Sequence, residues 1–285
     1  MTDDQILLEP VGRNTAPCVA YAAYKIRQKN PNAVFVVAPS DHLIAKEDVF
    51  REKIELGLKV CAEQDIIMTL GITPTRPDTG YGYIQFIEDG EDNDYYKVKT
   101  FTEKPELEVA KQFVESGDYV WNGGIFLFSS KTISSAFSKF LPDMADLFKG
   151  ISDKYYTGEE NDVIKETYGI CSNISIDYGI MEKAENVHVI PADFGWSDLG
   201  TWGSVHQNTD ADMHGNAVHG NAVVYDSFDN MIKTTHNGKM VVVKGLEGYI
   251  VVDTEDALLI CKKDDEQFIK QIVSDMKTKH GEPFV

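Results

Sequence analysis

No stretch of this chain approaches the run of about 18 apolar residues that a membrane-spanning helix requires, and the acidic start Met1-Thr2-Asp3-Asp4-Gln5 leads into no signal-peptide core. Cysteine is scarce. Cys18, Cys61, Cys171 and Cys261 are scattered with no Cys-x-x-Cys spacing, which excludes a disulfide framework or a cysteine zinc site; they read as reduced packing residues of a cytoplasmic protein. Positive charge is short as well. Against 46 acidic residues stand 27 lysines and arginines, a formal net charge of −19. Nucleic acid and anionic membrane surfaces both demand a basic face, so neither is an expected partner. The same deficit sets a condition on any phosphate chemistry: the local field must be reversed by a metal ion or by placed cations.

What is present is an ordinary globular composition, 42% hydrophobic and 26% charged over 285 residues, enough for one large domain or a medium one plus a small one. The first two thirds alternate strand-like and helix-like segments. Residues 33–38 are wholly apolar, the pattern of a strand buried on both faces. Segments 66–70, 124–128 and 187–190 read as further strands, with helices predicted over 17–29 (Thr15 as cap), 50–63, 106–116, 131–140 and 161–168. Such alternation predicts a mostly parallel α/β sheet with helices on both faces. After about residue 207 the pattern changes. A polar stretch, 208–221, reads as a linker, and short β-rich pieces follow at 222–225, 240–244, 249–252 and 257–261, with Asn237-Gly238 as a hairpin signal and a final helix over 265–277. The division expected is a main domain over 1–212 and a small C-terminal β domain over 213–285.

Chemistry-bearing residues recur at the predicted element ends. Arg13-Asn14-Thr15 stands at a helix N-terminus, where free N–H groups converge on an anion or the polar edge of a base; an ordinary loop with a threonine cap fits the spacing better. Asp41, in Pro39-Ser40-Asp41-His42, follows the apolar strand at the place where open α/β sheets bind ligands. Gly80-Tyr81-Gly82-Tyr83-Ile84 combines open backbone with aromatic surface, or is a tight turn entering a strand. Glu103-Lys104-Pro105 ends a strand-like run, with a carboxylate for sugar hydroxyls and an ammonium for phosphate, or a surface ion pair. Trp121-Asn122-Gly123-Gly124 precedes the 125–128 strand. Asp198 lies between two tryptophans in Phe194-Gly195-Trp196-Ser197-Asp198-Leu199-Gly200-Thr201-Trp202, placed for a metal ion or, as spacing alone favours, as the cap of a helix over 199–207.

In this order the motifs closely resemble the sugar nucleotidyltransferases, and within them the mannose-1-phosphate guanylyltransferases, from about residue 6 into the C-terminal segment. The resemblance implies a Rossmann-like nucleotidyltransferase sheet and transfer of GMP from GTP to mannose-1-phosphate, giving GDP-mannose and pyrophosphate. It implies Mg²⁺ held by Asp41 and Asp198, with Lys104 completing the catalytic set, Arg13, Asn14 and Thr15 on the nucleotide, and Gly82, Glu103, Lys104, Asn122 and Gly123 on the sugar and its phosphate. The family's opening strand and glycine-rich, arginine-bearing loop have no counterpart here, so weak turnover by this chain is the expectation. Two alternatives stay open, a nucleotidylyltransferase for another sugar phosphate and a non-catalytic nucleotide-sugar binder; a homodimer is also kept open.

Overall fold

The computed structural model describes residues 5–87, 94–235 and 238–281. The chain divides into two compact units. One runs to Ser40 and again from Ile44 to Trp196; the other joins Asp41–Leu43 to the chain from Ser197 onward.

In the first unit α1 (Thr15–Lys29) leads to β1 (Val34–Val37), β2 (Leu43–Ile44) and α2 (Glu47–Glu63). Then come β3 (Ile67–Ile72), β4 (Tyr83–Ile87), β5 (Tyr96–Thr102), α3 (Leu107–Ser116) and the long β6 (Tyr119–Ser129). Helices α4 (Ser130–Phe140), α5 (Pro142–Gly150) and α6 (Glu160–Ile170) precede β7 (Val187–Ala192) and β8 (Trp196–Ser197). The main sheet has the order β1-β6-β3-β7-β5-β4, with β4 also pairing β6. Strand alternation sorts its side chains into two cores. Phe126 and Phe128 of β6 face Ala20 of α1, Ile133 of α4 and Phe148 of α5, whereas Ile125 and Leu127 join Leu70, Ile190, Phe194 and Cys61 of α2. Helices therefore cover both faces, as expected.

The strand directions correct the sequence reading. Only β3 and β7 pair in parallel; β6 runs antiparallel to β1, β3 and β4, and β5 antiparallel to β4 and β7. The sheet is mixed, not mostly parallel. Strand–helix alternation fixes which layer an element joins, but not the direction in which a strand re-enters the sheet, and β6 returns between two strands that share one direction. Residues 33–38 are likewise not buried on both faces. Their strand β1 pairs only with β6 and sits at the sheet edge, leaving Val36 39% exposed; an apolar run reads alike in either position. Helix α1 is capped by Asn14, whose Oδ1 accepts the Thr15 N–H at 3.0 Å, so Thr15 is the first helical residue and not the cap. Among the cysteines, Cys61 and Cys171 are buried but Cys18 is exposed, so the packing role does not extend to it.

Close packing at the centre of the sheet gives one direct test. A Cβ on Gly71 of β3 would lie 2.5 Å from Val120 Cγ2 and 2.7 Å from Val189 Cγ2, side chains of the two flanking strands. Gly71→Ala should therefore destabilise by about 1–3 kcal/mol through overpacking, lowering Tm by roughly 2–4 °C for each kcal/mol in a domain of this size. An unchanged melting midpoint would show that the sheet can open to admit the methyl group.

The second unit holds α7 (Trp202–Gln207), six short strands and a terminal helix, α8 (Ile269–His280). The strands are β9 (Ala217–His219), β10 (Ala222–Tyr225), β11 (Met231–Thr234), β12 (Val241–Lys244), β13 (Tyr249–Asp253) and β14 (Leu258–Lys262). Here β9, β11 and β13 stack in parallel, as do β10 and β12, giving the coiled ladder of a β-helix. Asn237 lies outside the described residues, but the strands on either side of it belong to different sheets, so they form no hairpin with each other. The stretch expected to be a linker contains β9. Its Asn216 is buried, accepting an N–H bond from Asn230 Nδ2 at 2.8 Å, while Asn230 Oδ1 accepts from Tyr249 N at 2.8 Å, so an amide ladder ties successive turns of the coil. Gly215 and Gly220, each the first residue of a Gly-Asn-Ala-Val tetrapeptide, both have positive φ (79° and 92°) where the coil turns a corner. No helix among the described residues is long and apolar enough to cross a membrane.

Candidate functional site

Three of the candidate residues converge in the first unit through strand pairing. Tyr83 at the start of β4 lies opposite both Thr102 at the end of β5 and Trp121 in β6, which brings Gly82, Glu103 and Asn122 together. The Asn122 N–H donates to the Gly82 carbonyl at 2.8 Å. Trp121 to Gly124 lie within β6 and do not precede it, at the irregularity where its register against β3 shifts. Gly124 takes φ 67°, and a Cβ on Gly123 would stand 3.1 Å from the Leu70 carbonyl oxygen. The glycines thus allow a shift in register that larger residues would fit only with strain.

Glu103 is the most distinctive group here. Its side chain is 7% exposed and its Oε1 pairs with the Lys104 ammonium at 2.5 Å, while its Oε2 is buried with no hydrogen-bond partner. A Cβ on Gly82 would overlap that same oxygen, so glycine is what admits the carboxylate. Burial raises the Glu103 pKa; the Lys104 bond opposes the shift, and Asp177 and Glu182 add to it. Lys104 itself adopts φ 47°, a left-handed conformation uncommon for a lysine. Burial works against its charge, but Glu103, Asp177 and Tyr178 outweigh it and its pKa rises. The ammonium therefore stays protonated across neutral pH.

Sequence reasoning missed Asp177. It opens a π-helical turn, Asp177–Met181, and accepts the Asn122 Nδ2–H at 3.0 Å. The signal available was a single carboxylate set among Ile176, Ile180 and Met181, all buried. Arg13 and Thr15 are tied to the chain just before the π-helical turn. Thr15 Oγ1 accepts the Ile176 N–H at 2.9 Å, Ala16 N donates to Ile174 O, and Arg13 Nε donates to Tyr168 O at 3.1 Å at the end of α6. Arg13, Thr15 and Ala16 hold α1 against the 168–176 segment, while Asn14 caps the helix. A hollow of about 460 Å³ bounded by Lys97, Lys131, Lys139, Asp65 and Glu185 contains none of these residues, and the chemistry of the motifs is the better guide to the site.

Asp41 and Asp198 fall together in the second unit. The imidazole of His42 senses both: burial lowers its pKa, and the two carboxylates oppose that shift. Asp198 does not cap the following helix. Thr201 does, in a reciprocal capping box with Ser204, and α7 begins at Trp202 and not at Leu199. The Asp198 carboxylate accepts the Ser204 Oγ–H at 3.2 Å and folds over Gly200, where a Cβ would stand 2.8 Å from Oδ2. No group of three or more His, Cys, Asp or Glu side chains gathers for a metal ion among the described residues. Two carboxylates supply hard oxygen donors and leave the other positions to water and phosphate, a donor set that fits Mg²⁺.

Residues 2–214 match the nucleotidyl transferase family, and residues 220–276 match the MannoseP isomerase/GMP-like beta-helix domain. The chain belongs to the nucleotidyl transferase family. It is similar to the alginate biosynthesis protein AlgA of Pseudomonas syringae pv. tomato, with 38% identity over 94% of this chain and 56% of that protein. It is 35% identical to mannose-1-phosphate guanylyltransferase 2 of Escherichia coli O157:H7, over 98% of this chain and 59% of that one. The chain spans little more than half the length of these curated relatives. A Thermus thermophilus structure described as mannose-1-phosphate geranyltransferase superimposes with a TM-score of 0.78 at 32% identity, covering 95% of this chain and 77% of that one.

Proposed function

We propose that the protein transfers GMP from GTP to mannose-1-phosphate, forming GDP-mannose and pyrophosphate. The observation that carries this reading is the buried, partnerless Glu103 oxygen beside Lys104, Gly82 and Asn122. It is a charged acceptor that no hydrogen-bond donor among the described residues meets. The names of the relatives add the sugar phosphate and the guanylyl group.

In this reading Glu103 orients the mannose and Lys104, ammonium fixed by its neighbours, meets the phosphate. Gly82 and Gly123 let the backbone approach the sugar, and Arg13, Asn14 and Thr15 serve the nucleotide. Asp41 and Asp198 would hold Mg²⁺, which when bound offsets phosphate charge in a protein of net charge −19. The chemistry is an in-line displacement at the α-phosphorus by a mannose-1-phosphate oxygen, in which positioning and charge neutralisation supply most of the rate.

Pyrophosphate release with GTP, mannose-1-phosphate and Mg²⁺ tests the reading, beside UTP or ATP with glucose-1-phosphate. Preferential release from the first pair is expected. Preference for another pair would reassign the sugar or base, and GDP-mannose binding with no release under any pair would make the protein a binder. The same assay on a chain extended by a family-type glycine-rich segment tests the expectation of weak turnover.

A further inference from the structure

We propose that Asp177 is a sugar-binding residue, taking a hydroxyl of the sugar beside Glu103; this rests on the nucleotide-sugar reading of the site. The starting point is the Asn122 amide. Its oxygen is committed inside the protein, accepting the Gly124 N–H at 3.1 Å and facing Thr69 Oγ1 at 3.4 Å. Its nitrogen donates to Asp177 Oδ1 at 3.0 Å. The orientation of the amide is thereby fixed and its acceptor is used, so Asn122 has little left to offer a sugar beyond one N–H. The acceptors remaining around it are carboxylates. A carboxylate has about four lone-pair positions, and the Asn122 N–H takes one of them on Asp177 Oδ1.

Charge points the same way. Glu103, Asp177 and Glu182 lie close enough to repel one another, with one ammonium, that of Lys104, beside Glu103 and Asp177, and Glu182 Oε1 also accepts the Glu103 N–H at 3.2 Å. Three carboxylates against one cation in a half-buried setting is a costly arrangement for the empty protein, and such arrangements concentrate at functional sites. Burial raises the Asp177 pKa, with Glu182 adding and Asn122 and Lys104 opposing. Lys104 can meet a phosphate, but one placed against the Asp177 or Glu182 carboxylate would be repelled. An uncharged polyol brings only O–H donors and relieves the crowding, so the ligand part that fits is the sugar ring. The backbone agrees: Asp177 opens a π-helical turn, a form often found at functional sites, and Gly179 within it lies so close to Leu141 that a Cβ would be 2.9 Å from Cδ1.

The experiment measures affinity by calorimetry for GDP-mannose and for GDP, which lacks the sugar, in the wild type, Asp177→Asn and Asp177→Ala. Asparagine keeps an oxygen for the Asn122 N–H, so the amide stays oriented while the charge is lost. Asp177→Asn should weaken GDP-mannose about tenfold to a hundredfold, leave GDP unchanged, and melt no lower than the wild type. Asp177→Ala should show at least as large a selective loss. Equal losses for both ligands would make Asp177 a structural residue, and no loss for either would remove it from the site; each overturns the proposal. If the wild type binds UDP-glucose or ADP-glucose in place of GDP-mannose, the sugar-over-nucleotide comparison is made with that ligand, and the guanylyl reading alone falls. A wild type that binds none of the three overturns both.

Discussion

Replacing Asp198 with alanine is expected to lower the rate of pyrophosphate release by about 10²–10³-fold, the loss that follows removal of one preorganised electrostatic group from a phosphoryl or acyl transfer site. The fold should survive it. Asp198 is half-buried, the cap of α7 belongs to Thr201, and the bond surrendered by Ser204 Oγ leaves that hydroxyl with Thr201 as a neighbour. Asp41, exposed in the same unit, should behave alike. If both hold one ion they act as a unit, so Asp41→Ala combined with Asp198→Ala should cost little more than either alone. A Mg²⁺ titration supplies the second readout, since each single variant should need more metal to reach its own maximum. Two losses that multiply in the double variant would place the carboxylates in separate roles. Rates within threefold of the wild type would remove Asp198 from the chemistry altogether.

How far a sequence reaches depends on which property each residue pattern encodes. The periodicity of 131–140 and 161–168 matches α4 and α6 closely because an apolar stripe is a local property of one helix. Strand direction is not local. The run through β6 looks the same whether the strand enters parallel or antiparallel, and the choice is made by β1, β3 and β4 around it. The C-terminal strands are visible in the sequence, but their stacking into a coil rests on Asn216 and Asn230, which as isolated polar residues look like loop. At the site, spacing alone favours an ion pair for Glu103-Lys104 and a cap for Asp198; only the order of the motifs suggests otherwise. The ion pair does form, at 2.5 Å, yet with the second Glu103 oxygen left buried and partnerless, which no local pattern reveals. Asp177 is out of reach for the same reason. Its partners Asn122 and Lys104 are more than fifty residues away, and its neighbours in sequence are core residues.

Glu103→Gln should separate function from stability by moving them in opposite directions. Glutamine has nearly the same shape, keeps an oxygen for the Lys104 ammonium, and fits beside Gly82 without a new clash. It loses the charge that strengthens a hydroxyl bond, so GDP-mannose affinity should fall about tenfold to a hundredfold. Stability should rise at neutral pH. The Glu103 pKa is raised in the folded protein, chiefly by burial, so the native state holds this proton more tightly than the unfolded chain does. Its contribution is therefore fully favourable below the unfolded value near 4.5 and is lost as pH climbs through the higher folded value. Glutamine carries no such titration. The variant should melt above the wild type at pH 7, and the gap should close as pH is lowered toward 4. Such a gain is what a carboxylate kept for binding at a cost in stability predicts. A variant that melts lower at pH 7, with a gap that does not depend on pH, would mean that the Glu103–Lys104 pair is a structural ion pair and that the partnerless oxygen is not an acceptor waiting for a sugar.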